Sequence, residues 1–115
     1  MREPLKDKGR LEHILAAVGR LEKYAAGKTL ADVEHNDMMY YAIVKNFESI
    51  GEAAYMFSKE FTDTHTDTPW RYIVKMRHVL VHGYYQVEAG EIWAVIKNDL
   101  PLLKAQIQQY LNDIL

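Results

Sequence analysis

Residues 36–59 read NDMMYYAIVKNFESIGEAAYMFSK, and Met39, Ile43, Phe47, Ile50, Ala54 and Phe57 recur through them at steps of three and four. Such steps gather side chains on one face of an α-helix, because 3.6 residues complete a turn. The strict alternation of a half-buried strand appears neither here nor elsewhere in the chain. The stretch therefore reads as one core helix from about Asn36 to Lys59.

The same periodicity continues on both sides. Upstream, Leu11, Ile14, Leu15, Val18, Leu21 and Tyr24 form a stripe that Gly27 stops, and Pro4 suits a first turn, where its missing N–H costs nothing. Thr29 and Asp32 lie in a short connection. Downstream, residues 61–69 (FTDTHTDTP) read as a polar turn region. Thr68 and Pro69 suit the cap and first turn of a third helix that begins near Trp70 and ends at Gly83, one residue after His82. From about Glu88 to Leu115, Ile92, Val95, Ile96, Leu103, Ile107, Leu111 and Ile114 keep helical spacing. Pro101 interrupts them and predicts a kink or break, with Asp99 placed to cap the second half. Four main helices with short connections make an all-α fold, an antiparallel helical bundle in one domain over residues 1–115.

Composition narrows the function. The chain has 115 residues, 49% hydrophobic and 26% charged, which is the balance of a folded domain rather than of a disordered one. Without cysteine there is neither a disulfide nor thiolate chemistry. The opening MREPLKDKGR lacks the apolar centre of a signal peptide, and no apolar run approaches the roughly 20 residues that span a bilayer. A cytoplasmic protein without membrane contact is expected. The net charge of −2 excludes nucleic-acid binding by bulk electrostatics. Charge is nevertheless patterned: no acid falls between Asp67 and Glu88, whereas Arg71, Lys75, Arg77, His78 and His82 do.

At about 100° per residue, Arg71, Lys75, His78 and His82 share one stripe of the third helix. This basic ridge suits either a phosphate backbone or plain solvation. Arg77 instead falls in line with Ile73, Leu80, Val81 and Tyr84, on a face fit for burial. An unpaired buried guanidinium is too costly to keep, so Arg77 must meet an acid, a phosphate or a subunit boundary that retains water. Glu52 in IGEAA is the first acid to consider, and a simple bridging ion pair is the plain alternative. On an ideal helix Arg77 and His82 lie about 140° apart, so they converge only if the helix end distorts or a second subunit completes the site.

Arg77, the polar His78, three apolar residues and His82 resemble the Arg-polar-x(3 to 5)-His motif of the HEPN domain ribonucleases. HGY at 82–84, IGEAA at 50–54, PW at 69–70 and EIWAVIKNDLPLL at 91–103 sharpen the likeness to the HepT-like family, toxins paired with a minimal nucleotidyltransferase antitoxin. The resemblance implies a four- to five-helix HEPN-like bundle that forms a homodimer with its two motifs facing across a shared cleft. It also implies metal-independent endonucleolytic cleavage of an RNA substrate, without a cofactor, in which the RNA's own 2′-hydroxyl attacks the adjacent phosphate. Arg77 and His82 are then the catalytic residues. Histidine titrates nearest neutral pH and suits proton transfer; the guanidinium fork suits the charge that develops on phosphorus. His78, Lys75 and Arg71 would support phosphate, and Glu52 would support Arg77. Tyr84 matches the tyrosine of the HxY extension, the hydroxyl that the partner nucleotidyltransferase modifies with AMP, which would place negative charge beside Arg77 and His82. Read without the resemblance, Tyr84 is an interface or core aromatic with its hydroxyl at the rim.

Two other readings stand beside this one. His78 and His82 have the spacing of a zinc pair, but Val79 occupies the place of the glutamate in HExxH, and His13, His35 and His65 have unremarkable neighbours in the sequence. The loop DTHTDT, with Asp63, His65 and Asp67, reads as a solvated turn rather than a cation site. The other reading is a catalytically inactive helical module for dimerisation or for docking a nucleotidyltransferase.

Overall fold

A computed structural model describes residues 4–114, with side chains from residue 6 onward; Leu115, the expected end of the last helix, lies outside the described residues. Five longer helices build the fold: α1 (Pro4–Ala25), α3 (Asp37–Tyr55), α5 (Trp70–Gly83), α6 (Ala89–Asn98) and α7 (Leu100–Ile114). Two short helices, α2 (Leu30–Glu34) and α4 (Lys59–Thr64), lie in the connections, and Tyr84–Gln86 form a 3-10 turn after α5. The fold is an all-α bundle, as the periodicity requires.

Helix α3 lies at the centre. It packs against α1 on one side and α5 on the other, while α7 closes over α1 and α6. Cross-contacts fix an antiparallel order: Arg20 of α1 donates from Nε to Asn46 Oδ1 of α3 at 2.7 Å, and near the other end of α1 Asp7 meets Ser58, just beyond α3. The expected apolar stripes fill the interior. Leu11, Ile14, Val18 and Leu21 of α1 and Ile43, Phe47, Ile50 and Ala54 of α3 are all buried. Each large aliphatic side chain removed from water in this way stabilises the bundle by about 1.5–3 kcal/mol.

The boundaries differ from the sequence expectation where a distant partner decides them. Asn36, where the sequence places the start of the helix, caps α3, its Oδ1 accepting from the Met39 N–H at 3.0 Å. The helix stops at Tyr55 rather than Lys59, because Ser58 is held by Asp7, 51 residues earlier. Ser58 donates from its N–H to Asp7 Oδ1 at 3.0 Å and from its hydroxyl to Oδ2 at 2.7 Å, and its Oγ accepts from the Phe61 N–H to open α4. The supposed polar turn of residues 61–69 is thus half helix, with Phe61 buried and stacked on Phe57 at 4.6 Å. His65 joins that cluster, its ring 3.9 Å from Phe61, so its surroundings are aromatic rather than unremarkable.

Other expected caps are redistributed. Thr68 is buried and bonds to Gln106 Oε1 and the Tyr110 hydroxyl, both at 2.7 Å, and Pro69 takes the cap position of α5 without a side-chain bond. Thr29 and Asp32, read as a connection, form a capping box that starts α2. The bond from the Thr29 N–H holds the Asp32 carboxyl below the ordinary carboxylate range. The break near Pro101 is present. Asp99 ends α6 with its N–H on the Val95 carbonyl, its own carbonyl accepts from Leu103, and Pro101 sits in the first turn of α7. Asp99 therefore joins the two helices through its backbone, and no side-chain cap bond from it is present among the described residues. No helix among the described residues is long and apolar enough to cross a membrane.

Replacing Asp7 by alanine leaves the Ser58 N–H and hydroxyl without their buried acceptor. The expected loss is about 1–3 kcal/mol, read as a lower urea midpoint at unchanged slope.

Candidate active site at the end of helix α5

The site begins with a missing side chain. Gly51 is buried in α3 where α5 crosses it, and a Cβ there would collide with Arg77 Cβ and lie 3.1 Å from both Arg77 Cγ and the Ile73 carbonyl oxygen. The stem of Arg77 therefore lies directly against the α3 backbone, a common way for a long charged side chain to bury its methylenes while its head keeps water. The next residue supplies the acid: Glu52 Oε2 is 2.7 Å from Arg77 Nε. With Arg77 33% and Glu52 55% exposed, this pair contributes no more than about 1 kcal/mol. Its effect is to orient the guanidinium.

The ridge also lies where its spacing predicts. Arg71, Lys75, His78 and His82 line the outer face of α5, and the His78 and His82 rings lie 4.4 Å apart, tilted by 56°. The chain thus brings together Glu52 with Arg77 and His78 with His82. No side-chain hydrogen bond or ion pair among the described residues joins one pair to the other. Val79 and Val81, on the same stretch of α5, remain 46% and 44% exposed.

Gly83 ends α5 and the backbone tightens into the 3-10 turn, which places Tyr84 half-buried beside α3. Its ring faces Tyr41 at 5.7 Å, Tyr85 at 6.0 Å and Tyr40 at 6.5 Å. Tyr40 holds the turn: its hydroxyl donates to the Val87 carbonyl at 2.7 Å and lies 3.0 Å from the Tyr84 carbonyl. Burial pushes the Tyr40 phenol above its ordinary range, and the charges of Glu91 and Tyr84 add to that shift. Gly51, Tyr40 and Tyr41 do not stand out as site residues in the sequence. A glycine inside a strongly periodic helix is the signal that marks a close backbone approach at position 51; nothing local distinguishes the two tyrosines from core residues.

The metal reading finds no support in the arrangement of donors. Among the described residues no three His, Asp or Glu side chains gather as a possible metal site. His65 is 2.7 Å from the Phe61 carbonyl through Nδ1, and Asp63 pairs with Lys59 at 2.7 Å. Those contacts account for the two most suggestive members of the DTHTDT segment.

A family model described as Ribonuclease HepT-like matches residues 14–110. The chain belongs to the HepT-like ribonuclease family. "Putative RNase TTE0752" of Caldanaerobacter subterraneus subsp. tengcongensis is 35% identical over 89% of this chain and 91% of its own length. "Probable ribonuclease HepT" of Thermococcus cleftensis is 29% identical, over 86% of this chain and 90% of its own. A longer relative, "Gamma-glutamylcyclotransferase and putative RNase MJ0434" of Methanocaldococcus jannaschii, is 32% identical over 90% of this chain, which spans 47% of that protein's length. No solved structure matches significantly. The HepT-like match contains α3, α5 and the whole of the Glu52, Arg77, His82 and Tyr84 arrangement.

Substituting alanine for Gly51 forces α3 and α5 apart and moves the Arg77 stem. A loss of about 1–3 kcal/mol in stability is expected, measured by denaturant unfolding.

Proposed function

We propose that this HepT-like chain is a metal-independent endoribonuclease that works as a homodimer, and that it is the toxin of a pair whose antitoxin is a minimal nucleotidyltransferase. The observation that carries the reading is the placement of Arg77 and His82. Both are presented at the solvent edge of α5, in a chain of a ribonuclease family, and neither is consumed by the core. In the homodimer a second copy would bring its own motif opposite the first across a shared cleft.

In this reading the RNA 2′-hydroxyl attacks the neighbouring phosphorus while its proton passes to a base. The bond from phosphorus to the 5′-oxygen breaks, and that oxygen receives a proton from an acid. His82 serves as acid or base, a role worth roughly 100- to 10,000-fold. Arg77 steadies the charge on the phosphorane with paired donors, and Glu52 sets the angle of its guanidinium. His78, Lys75 and Arg71 hold flanking phosphates along the ridge. Tyr84 is the AMP acceptor: its oxygen attacks the α-phosphate of ATP in the partner's active site and pyrophosphate leaves. The added phosphate then repels substrate from Arg77 and His82.

Wild-type protein and His82→Ala are to be assayed on RNA in EDTA. Undiminished wild-type cleavage is expected, leaving 2′,3′-cyclic phosphate ends, with activity of the variant reduced at least about 100-fold at an unchanged circular dichroism spectrum. Cleavage abolished by EDTA would contradict metal independence, and no cleavage by either protein would favour the inactive docking module.

A further inference from the structure

The proposed cleavage site ends in a group of tyrosines that its chemistry does not use. Tyr85 is 73% exposed and Tyr41 53% exposed. Each stands close to perpendicular to Tyr84, at interplanar angles of 84° and 74°. The group is anchored from beneath, because the Tyr40 hydroxyl reaches the carbonyls of both Tyr84 and Val87 and so pins the turn to α3. These rings are therefore displayed on a fixed base.

The ridge belongs to the helix that runs into the turn carrying Tyr84 and Tyr85. Arg71, Lys75, His78 and His82 run along the outer face of α5, over about 16 Å at the rise of an α-helix, and Tyr84 follows His82 by two residues. A cationic helix face followed by exposed aromatic rings fits a single nucleic-acid strand, whose phosphates follow the charges while its bases stack on the rings. A duplex offers the charges the same phosphates, but its base faces are covered by their neighbours. A protein partner would use the tyrosines without needing the ridge.

We propose that Tyr41 and Tyr85 form a base-stacking platform beside the cleavage site, which selects unpaired RNA over duplex. This rests on the ribonuclease reading above. The test uses His82→Ala protein to suppress cleavage, and measures by fluorescence anisotropy, at one salt concentration, the binding of a short unpaired oligoribonucleotide and of its blunt duplex. The unpaired strand binds at least about 10-fold more tightly; adding Tyr41→Ala or Tyr85→Ala weakens it by about 10-fold each. Phenylalanine at either position retains the binding, and Lys75→Ala weakens strand and duplex alike. Equal affinity for strand and duplex would overturn the proposal. So would alanine variants that bind like their parent, a result that assigns the tyrosines to a protein partner instead. Binding is read without cleavage, so a wild-type protein that cuts no RNA would sink the ribonuclease reading, whereas the platform stands or falls on the anisotropy alone.

Discussion

Helices α3 and α5 meet where residue 51 has no side chain, and Arg77 fills that space with its stem. The contact sets the separation of the two helices, which in turn lets Ile73 and Leu80 face the core alongside Ile50 and Phe47. It also fixes where the charged end of Arg77 emerges. Any β-carbon at position 51 would have to displace either a helix or the arginine, since packed interiors leave little slack. The geometry of the candidate site is thus a consequence of core packing. The Glu52 pair adds direction to an arginine whose position the glycine has already decided.

That division of labour leaves the guanidinium in a pair that can be exchanged. An ion pair shared with solvent is worth little in stability and gives way cheaply to a better anion. A deeply buried pair would have been costly to open. His82 lies exposed in the last turn of the same helix, and the turn after it is secured separately, through Tyr40. One protomer thus fixes the stem of Arg77 on one side and the turn after His82 on the other. Stabilisation aimed at developing charge requires donors and proton carriers to surround the same phosphate, and in the proposed reading a second copy of the chain completes that arrangement.

Much of this is legible in the residues. The apolar stripes of α1, α3 and α7 and the ends of α5 follow from local periodicity and from Gly83, and the exposed ridge follows from spacing alone. The Arg77 and Glu52 pair follows from what a charge on an apolar face requires. What escapes a reading of the sequence depends on residues far apart in the chain. Ser58 ends one helix and starts another because Asp7 reaches it; Thr68 is drawn inward by Gln106 and Tyr110; His65 finds an aromatic stack once Phe61 turns helical. Nothing in the sequence marks Tyr40 and Tyr41 until the turn after α5 folds back upon them.

The central claim is that catalysis needs two copies of the chain. The most direct measurement mixes Arg77→Ala protein with His82→Ala protein, exchanges their subunits, and compares RNA cleavage with that of either variant alone. Each mixed dimer keeps one intact arginine and one intact histidine, on different chains. Activity restored well above both parents is the predicted result. A mixture as inactive as its components, with subunit exchange verified, would place the whole site on a single protomer and contradict the account.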